Sequence, residues 1–322
     1  MTGNVVEVDH LDVTFNHDGR EVRAVQDLSF TVRRGESLGI IGESGSGKSV
    51  SLRALIGLLP HTATLGGRVV IAGSDLATLS PSALQQLRGT KIGMIFQEPA
   101  TALDPVYTIG EQIIETIVEH EAVGRDAARR RALELLDRVS VPAATRRLAN
   151  YPHELSGGMR QRAMIALALA CRPAVLLADE PTTALDATVQ VQLLLLLREL
   201  QRELEMAMIF VTHDRGVAAE VCDRVAVMYA GRFVESGQVE DVLLAPRHPY
   251  SIGLLASTQH ARRRGAPLAG IRGSPPDLAA LPPGCAFSPR CDHMREACLA
   301  AMPTLTPGPR ARFVRCILPE SS

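Results

Sequence analysis

The chain has 322 residues, 46% hydrophobic and 21% charged, which suffices for a sizeable core and fits two domains or one large domain with an appendage. A formal net charge of −1, no long basic block and no tryptophan leave no electrostatic or stacking argument for a nucleic-acid partner. Lys48 and Lys91 are the only lysines among 34 basic residues, a chain-wide arginine bias rather than a binding surface.

The opening stretch carries Glu7, Asp9 and Asp12 and has no basic-then-apolar signal pattern. No uncharged apolar run approaches the roughly 20 residues of a membrane-spanning helix. The expectation is a cytosolic chain that can dock on a membrane partner. Residues 5–15 predict a strand with Leu11, Val13 and Phe15 on one face, followed by the turn signal Asn16-His17-Asp18-Gly19. A second strand runs from Glu21 to Val32 and breaks at Arg33-Arg34-Gly35-Glu36.

The apolar run Leu38-Gly39-Ile40-Ile41 then enters Gly42-Glu43-Ser44-Gly45-Ser46-Gly47-Lys48-Ser49, which opens onto a helical stretch from Val50 to Ile56. Strand, glycine-rich loop and helix form the context a phosphate-binding loop requires. Gly42, Gly45 and Gly47, with the small Ser44 and Ser46, let backbone N–H groups turn inward around phosphate oxygens. Lys48 adds a point charge for the terminal phosphates, and Ser49 a hydroxyl for Mg²⁺. The helix N-terminus directs a partial positive charge at the same anion. This segment therefore predicts binding of a nucleoside triphosphate. A nucleotide held by its phosphates leaves its base near the chain start, which makes Phe15 a candidate to stack on adenine; the alternative is that it simply closes the core of its strand.

Gly66–Ile71 predicts a strand, Pro81–Arg88 a short helix, and Lys91–Phe96 a strand that delivers Gln97 at its end. Ligands bind at such strand ends in α/β sheets, so Gln97 could reach Mg²⁺ or the attacking water. Residues 105–172 lack good strands and predict helices over Thr108–Glu121, Asp126–Ser140 and Gly157–Cys171, a helical insertion in the α/β core. Inside it, Leu155-Ser156-Gly157-Gly158 offers an N-cap residue followed by unobstructed amides, a second helix start able to hold phosphate. Taken alone, such a cap is common in structures without ligands.

Ala174–Ala178 is a continuous apolar run, as a central parallel strand should be, and ends in Asp179-Glu180. Adjacent carboxylates at a buried strand end are costly unless metal or water chemistry uses them. Asp179 suits the Mg²⁺ side, and Glu180 a general base for water. Ala184-Leu185-Asp186 precedes a long helix from Ala187 to about Leu204. A strand over Ala207–Val211 then leads to Thr212-His213-Asp214, where His213 could touch a γ-phosphate.

From Pro246 the composition shifts, and 12 of the 20 prolines lie in this last quarter. Little regular structure is expected there, and a staple is needed to hold it. Cys285, Cys291, Cys298 and Cys316 are separated by five, six and seventeen residues. Four thiolates suit either Zn²⁺ or an iron–sulfur cluster, and unligated thiols are the third reading.

The glycine-rich loop, Gln97, Leu-Ser-Gly-Gly at 155–158, Asp179-Glu180 and His213 follow one another in an order that resembles ATP-binding cassette subunits, over residues 5 to about 245. The resemblance implies an α/β fold: a RecA-like P-loop NTPase core with N-terminal antiparallel β strands and an inserted α-helical subdomain at about 105–172. The nucleotide-binding domain would span 1–245, and a Cys/Pro-rich C-terminal tail 246–322. It also implies head-to-tail pairing, with ATP between the P-loop of one subunit and Ser156, Gly157 and Gly158 of another.

Gln97-Glu98-Pro99 with Asp104-Pro105, the run from Leu155 to Cys171, the run from Asp179 to Asp186 and His248-Pro249-Tyr250 resemble the oligopeptide/dipeptide/nickel permease branch. The family's roles would place Lys48 on phosphate, Ser49 and Asp179 on Mg²⁺, Glu180 on the water, Gln97 at the metal and water, His213 on the γ-phosphate, Asp186 in the dimer contact and Phe15 on adenine. Phe15 stands where many cassettes have Tyr, and Asp104 where branch members commonly have Asn. Gly-Cys-x-Phe and Pro-Arg-Cys in the tail resemble segments that bind a [4Fe–4S] cluster in some members, implying a structural clamp. The expected activity is ATP hydrolysis that energises import of peptides or related small solutes, at the cytoplasmic face of a bacterial inner membrane. The implied partners are a paralogous second ATPase subunit, two transmembrane permease subunits and an extracytoplasmic solute-binding protein. A soluble cassette acting on ribosomes or DNA, and a redox- or metal-sensing regulator built on the tail cysteines, are the competing readings; the first is disfavoured by the single cassette and the absence of a long coiled-coil insertion.

Overall fold

The computed structural model describes residues 3–17, 19–183, 185–260 and 271–318. Asp18 of the expected first turn, Ala184 of the run before the long helix, and parts of the tail lie outside the described residues. The strands are β1 (Asn4–His17), β2 (Arg20–Arg33), β3 (Ser37–Ile41), β4 (Ala63–Ile71), β5 (Ser74–Asp75), β6 (Ile92–Ile95), β7 (Val175–Asp179), β8 (Ala207–Thr212), β9 (Arg224–Tyr229), β10 (Arg232–Gln238), β11 (Thr306–Gly308) and β12 (Arg312–Val314). The described residues fall into two compact units that interleave along the chain. One lies within Met1–Val6, Thr31–Glu36 and Val70–Ile209, the other within Glu7–Phe30, Ser37–Val69 and Phe210–Ser322.

In the first unit β6 and β7 pair in parallel, with Ile92 opposite Val175 and Ile95 opposite Ala178. Both strands are buried along their length. Their near-continuous apolar sequence follows from having both faces covered, which leaves no polar side to alternate with. The block expected to be helical carries Ile109–His120, Arg125–Arg138 and Gly157–Ala168, which pack against one another. Ile109–His120 starts at a capping box: Thr108 Oγ1 accepts the Glu111 N–H at 3.2 Å, and Glu111 accepts the Thr108 N–H at 2.9 Å. Ile109, Ile113, Ile114 and Ile117 form its buried stripe at helical spacing. The short helices Pro99–Ala102 and Ala144–Arg147 were not expected; neither is long enough to show an apolar period.

The second unit orders its strands β11-β12-β10-β9-β3. β3 and β9 are parallel, and the pairs β9–β10, β10–β12 and β11–β12 are antiparallel, so the sheet is mixed. In this unit's part of β1, Leu11 and Val13 are fully buried and Phe15 is left partly open.

The tail departs from the irregular segment expected. It contains the helix Pro249–His260, and β12 joins the sheet, with Glu235 opposite Val314 and Ser236 opposite Phe313. Protein groups anchor it. Glu235 is fully buried, and its carboxylate accepts from the Arg312 guanidinium and from the backbone N–H groups of Arg247 (3.0 Å) and His248 (2.9 Å). Arg315 donates to the carbonyls of Phe233 (3.1 Å) and Pro303 (3.2 Å). Proline-rich composition concealed these anchors because they are long-range contacts of single arginines, which carry no local period.

Candidate functional site

β3 runs buried to Ile41 and hands the chain to the glycine-rich loop, which ends at the helix Lys48–Leu55. Gly42 is required by crowding: a Cβ there would lie 2.3 Å from the Met228 carbonyl oxygen. Gly47, the N-cap, has φ +105°, and a Cβ would meet the Ala24 carbonyl oxygen at 2.4 Å. No side chain caps this helix. Lys48 is buried, and its Nζ donates to the carbonyls of Gly42 and Glu43, both at 2.9 Å. Ser46 is also buried, and its Oγ has no protein partner. Buried hydroxyls are rarely left unpaired, and this one sits in the concavity of an anion-binding loop. Ser44 and Gly45 are exposed on the same loop, and Ser49 is half-buried one residue into the helix. His213 is exposed directly after β8, and Asp214 caps the next helix by accepting the N–H groups of Gly216 (2.7 Å) and Val217 (3.4 Å).

The first unit brings Gln97, Asp179 and Glu180 to the C-terminal ends of the neighbouring strands β6 and β7. Gln97 Nε2 lies 3.5 Å from Glu180 Oε2, which also accepts from Thr183 Oγ1 at 3.1 Å. Asp179 is buried at 3% exposure while Glu180 is half-open, so one carboxylate points into the unit and the next toward solvent. Ser156 is the N-cap of Gly157–Ala168 and accepts the Met159 N–H at 3.3 Å. No heavy atom outside its immediate neighbours lies within 4 Å of a Cβ built on Gly157, so the approach to this helix start is clear. Gln161, one turn on, donates to the Pro181 carbonyl at 2.6 Å and ties the helix to the segment after Glu180. Asp186 caps the helix Ala187–Glu203 by accepting the N–H groups of Thr188 (3.1 Å) and Val189 (3.0 Å), and is otherwise exposed.

Cys285, Cys291, Cys298 and Cys316 all line one cavity, with His248, Phe287 and His293 on its wall. Burial pushes the thiols of Cys285, Cys291 and Cys316 up from their ordinary value, and the neighbouring cysteines add to the rise. Among the described residues no three His, Cys, Asp or Glu side chains are already set in a metal-holding arrangement.

The ABC transporter family matches residues 25–183, and the oligopeptide/dipeptide transporter C-terminal region matches residues 234–298. The oligopeptide transport ATP-binding protein OppD of Salmonella typhimurium is 49% identical over 317 residues, covering 98% of this chain and 94% of the relative. The chain belongs to the ATP-binding subunits of ABC transporters, in the oligopeptide/dipeptide family. The cassette is also 45% identical to the dipeptide transport ATP-binding protein DppD of Bacillus subtilis, over 98% of this chain and 95% of the relative. Among solved structures it is similar to the cassette MJ0796 in a dimeric post-hydrolysis state bound to ADP and Pi, with a TM-score of 0.66, 30% identity, and coverage of 73% of this chain and 98% of that one. The fold is the ABC cassette α/β fold, with an N-terminal antiparallel sheet and a mixed sheet, and the chain is an ABC transporter ATPase. Membership implies a complex with a partner ATPase and permease subunits. Among the described residues no helix is long and apolar enough to cross a membrane.

Three residues escaped the sequence reading. Glu43 lies in the loop but was given no role, and Tyr250 and Arg290 stand more than 200 positions away. The Glu43 N–H donates to the Tyr250 hydroxyl at 2.9 Å, and Arg290 grips the Glu43 carboxylate with Nη1 at 2.7 Å and Nη2 at 3.1 Å.

Proposed function

We propose that this cassette energises the import of oligopeptides, dipeptides or related small solutes, working at the cytoplasmic face of a bacterial inner membrane. The match of residues 234–298 to the oligopeptide/dipeptide transporter C-terminal region is the observation that carries this reading. ATP would lie between residues 42–49 of one subunit and Ser156, Gly157 and Gly158 of another, with Phe15 against adenine and Asp186 at the dimer contact. Lys48 would hold the terminal phosphates and His213 the γ-phosphate. Glu180 would take a proton from the attacking water as the water oxygen bonds to the γ-phosphorus and the bond from that phosphorus to the bridging oxygen breaks, releasing ADP. Ser49, Gln97 and Asp179 are the proposed Mg²⁺ ligands; all offer oxygen, the donor type a hard cation takes. When bound, Mg²⁺ offsets the charge of the phosphate oxygens. Closure of two cassettes would move the permease, and hydrolysis would reopen them.

The proposed division is a nucleotide-binding domain over 1–245, with its helical subdomain at about 105–172, and a tail over 246–322. The proposed partners are a paralogous ATPase subunit, two permeases and an extracytoplasmic solute-binding protein. In the intact complex reconstituted in vesicles, peptide uptake is expected to require ATP and to be lost with Lys48→Ala. Uptake unchanged by that substitution, or no uptake of any peptide, would refute the reading.

The four tail cysteines are proposed to hold a [4Fe–4S] cluster, Zn²⁺ being the other cation this donor set accepts. Convergence of all four on one cavity supports this. The cluster would crosslink three separate stretches of the tail. Protein purified anaerobically from iron-replete cells is expected to carry iron and brown absorbance, both reduced by Cys291→Ser; absence of both refutes the cluster.

A further inference from the structure

The tail reaches the phosphate loop directly, and both contacts converge on Glu43. Its backbone N–H is held by the Tyr250 hydroxyl at 2.9 Å, its carbonyl by Lys48 Nζ at 2.9 Å, and its carboxylate by both terminal nitrogens of Arg290. The Arg290 side chain is 6% exposed and has its own anchors: Nε donates to the Arg272 carbonyl at 2.8 Å, and the guanidinium carbon lies 5.9 Å from the centre of the Tyr229 ring. Tyr250 is fully buried, with its ring 4.5 Å from Tyr229 and 5.5 Å from Phe287 between centroids. Neither residue can follow the loop without repacking this aromatic cluster.

A carboxylate in the second position of an anion-binding loop is an electrostatic problem. Unpaired, it would repel the triphosphate and compete with it for Lys48, whose ammonium already touches the Glu43 backbone. A bidentate guanidinium gives the carboxylate two charge-assisted hydrogen bonds, and it fixes orientation as well as neutralising charge. The hydrogen bond to Glu43 also raises the Arg290 pKa further above its ordinary value.

We propose that Arg290 and Tyr250 are positioning residues for ATP: the C-terminal tail cancels the Glu43 charge and holds the phosphate loop in its binding shape. Neither touches the reacting atoms; they act through Glu43. The inference rests on residues 42–49 being the phosphate loop. It makes nucleotide affinity depend on the fold of a segment that follows the loop by more than 200 residues, and Arg290 is the immediate chain neighbour of Cys291 on the wall of the cysteine cavity.

The test is MgATP affinity of the full-length chain, measured by displacement of a fluorescent ATP analogue, alongside steady-state hydrolysis. Arg290→Ala is expected to weaken binding roughly tenfold, with kcat at saturating ATP altered less than about twofold. Arg290→Lys, which keeps the charge but loses the fork, should fall between. Tyr250→Phe, which keeps the ring and removes only the acceptor, should weaken binding about threefold. Glu43→Gln combined with Arg290→Ala should recover most of the loss, because the uncompensated anion is gone. Affinities of Arg290→Ala and Tyr250→Phe within twofold of the parent would overturn the inference, as would a double variant as weak as Arg290→Ala, which would mean simple collapse of the tail. Lys48→Ala separates the two claims: if it binds MgATP normally, the phosphate-loop reading itself fails. Should Arg290→Ala not fold, Tyr250→Phe decides.

Discussion

Glu180 holds a backbone conformation that its residue type rarely adopts, with φ +44° at the point where β7 ends. Such a left-handed turn costs of order 1 kcal/mol for a residue with a Cβ and persists only where the surroundings demand it. Its effect is to separate two consecutive carboxylates, Asp179 buried and Glu180 turned outward beside Gln97 and Thr183. Glu180→Gln preserves size, backbone and the oxygen that accepts from Thr183, yet cannot take a proton. Phosphate release is expected to fall by roughly 10²–10⁴-fold while ATP stays bound. Normal turnover in a phosphate-release assay would remove Glu180 from the base role. The carboxylate pair was legible in the sequence because an apolar run ended in it; the turn between them was not, since nothing local to Asp-Glu-Pro encodes a positive φ.

At the scale of elements, the helix Pro249–His260 is where sequence and structure differ most. Its start is pinned by His248, which is 1% exposed and accepts the Tyr250 N–H on Nδ1 at 3.0 Å. Burial pushes the His248 pKa down from 6.5 to about 3, against a smaller opposing effect of a hydrogen bond with the Arg315 backbone. Between these two values the unfolded chain binds a proton that the folded chain refuses. Stability contributed by the neutral imidazole is therefore complete above pH 6.5 and declines as pH falls toward 3, by up to about 1.4 kcal/mol per pH unit. Urea unfolding at pH 5 should show about 2 kcal/mol less stability than at pH 7 from this group, and His248→Gln should flatten that slope. An unchanged slope in the variant would assign the acid sensitivity elsewhere. His248-Pro249-Tyr250 was recognisable as a motif, but burial of its histidine depends on Phe287, whose ring centre lies 5.9 Å away and 39 positions along the chain.

For the whole molecule, the elements proposed to bear the chemistry were the readable ones. Gly42, Gly47, Ser156 and Asp186 occupy loop, cap and turn positions where local stereochemistry dictates residue type, so their pattern survives in one dimension. The strands β3, β6 and β7 were legible for a different reason: burial on both faces leaves them as nearly continuous apolar runs. What stayed hidden was the architecture of the tail, whose Arg290, Arg312 and Arg315 reach Glu43, Glu235 and Asp27 across 77 to 288 positions and leave no periodic trace.

The pairing of β12 with β10 reaches beyond the tail itself. Cut the chain before residue 306 and β10 becomes an open edge, with Glu235 buried at its centre and its guanidinium gone. An unprotected edge recruits other strands, and a buried carboxylate without its cation is among the costlier defects a protein can carry. A minimal cassette engineered from this sequence by trimming at residue 245 would thus begin life sticky and short of one counterion. The segment that looks most like an accessory is the hem that keeps the sheet from unravelling.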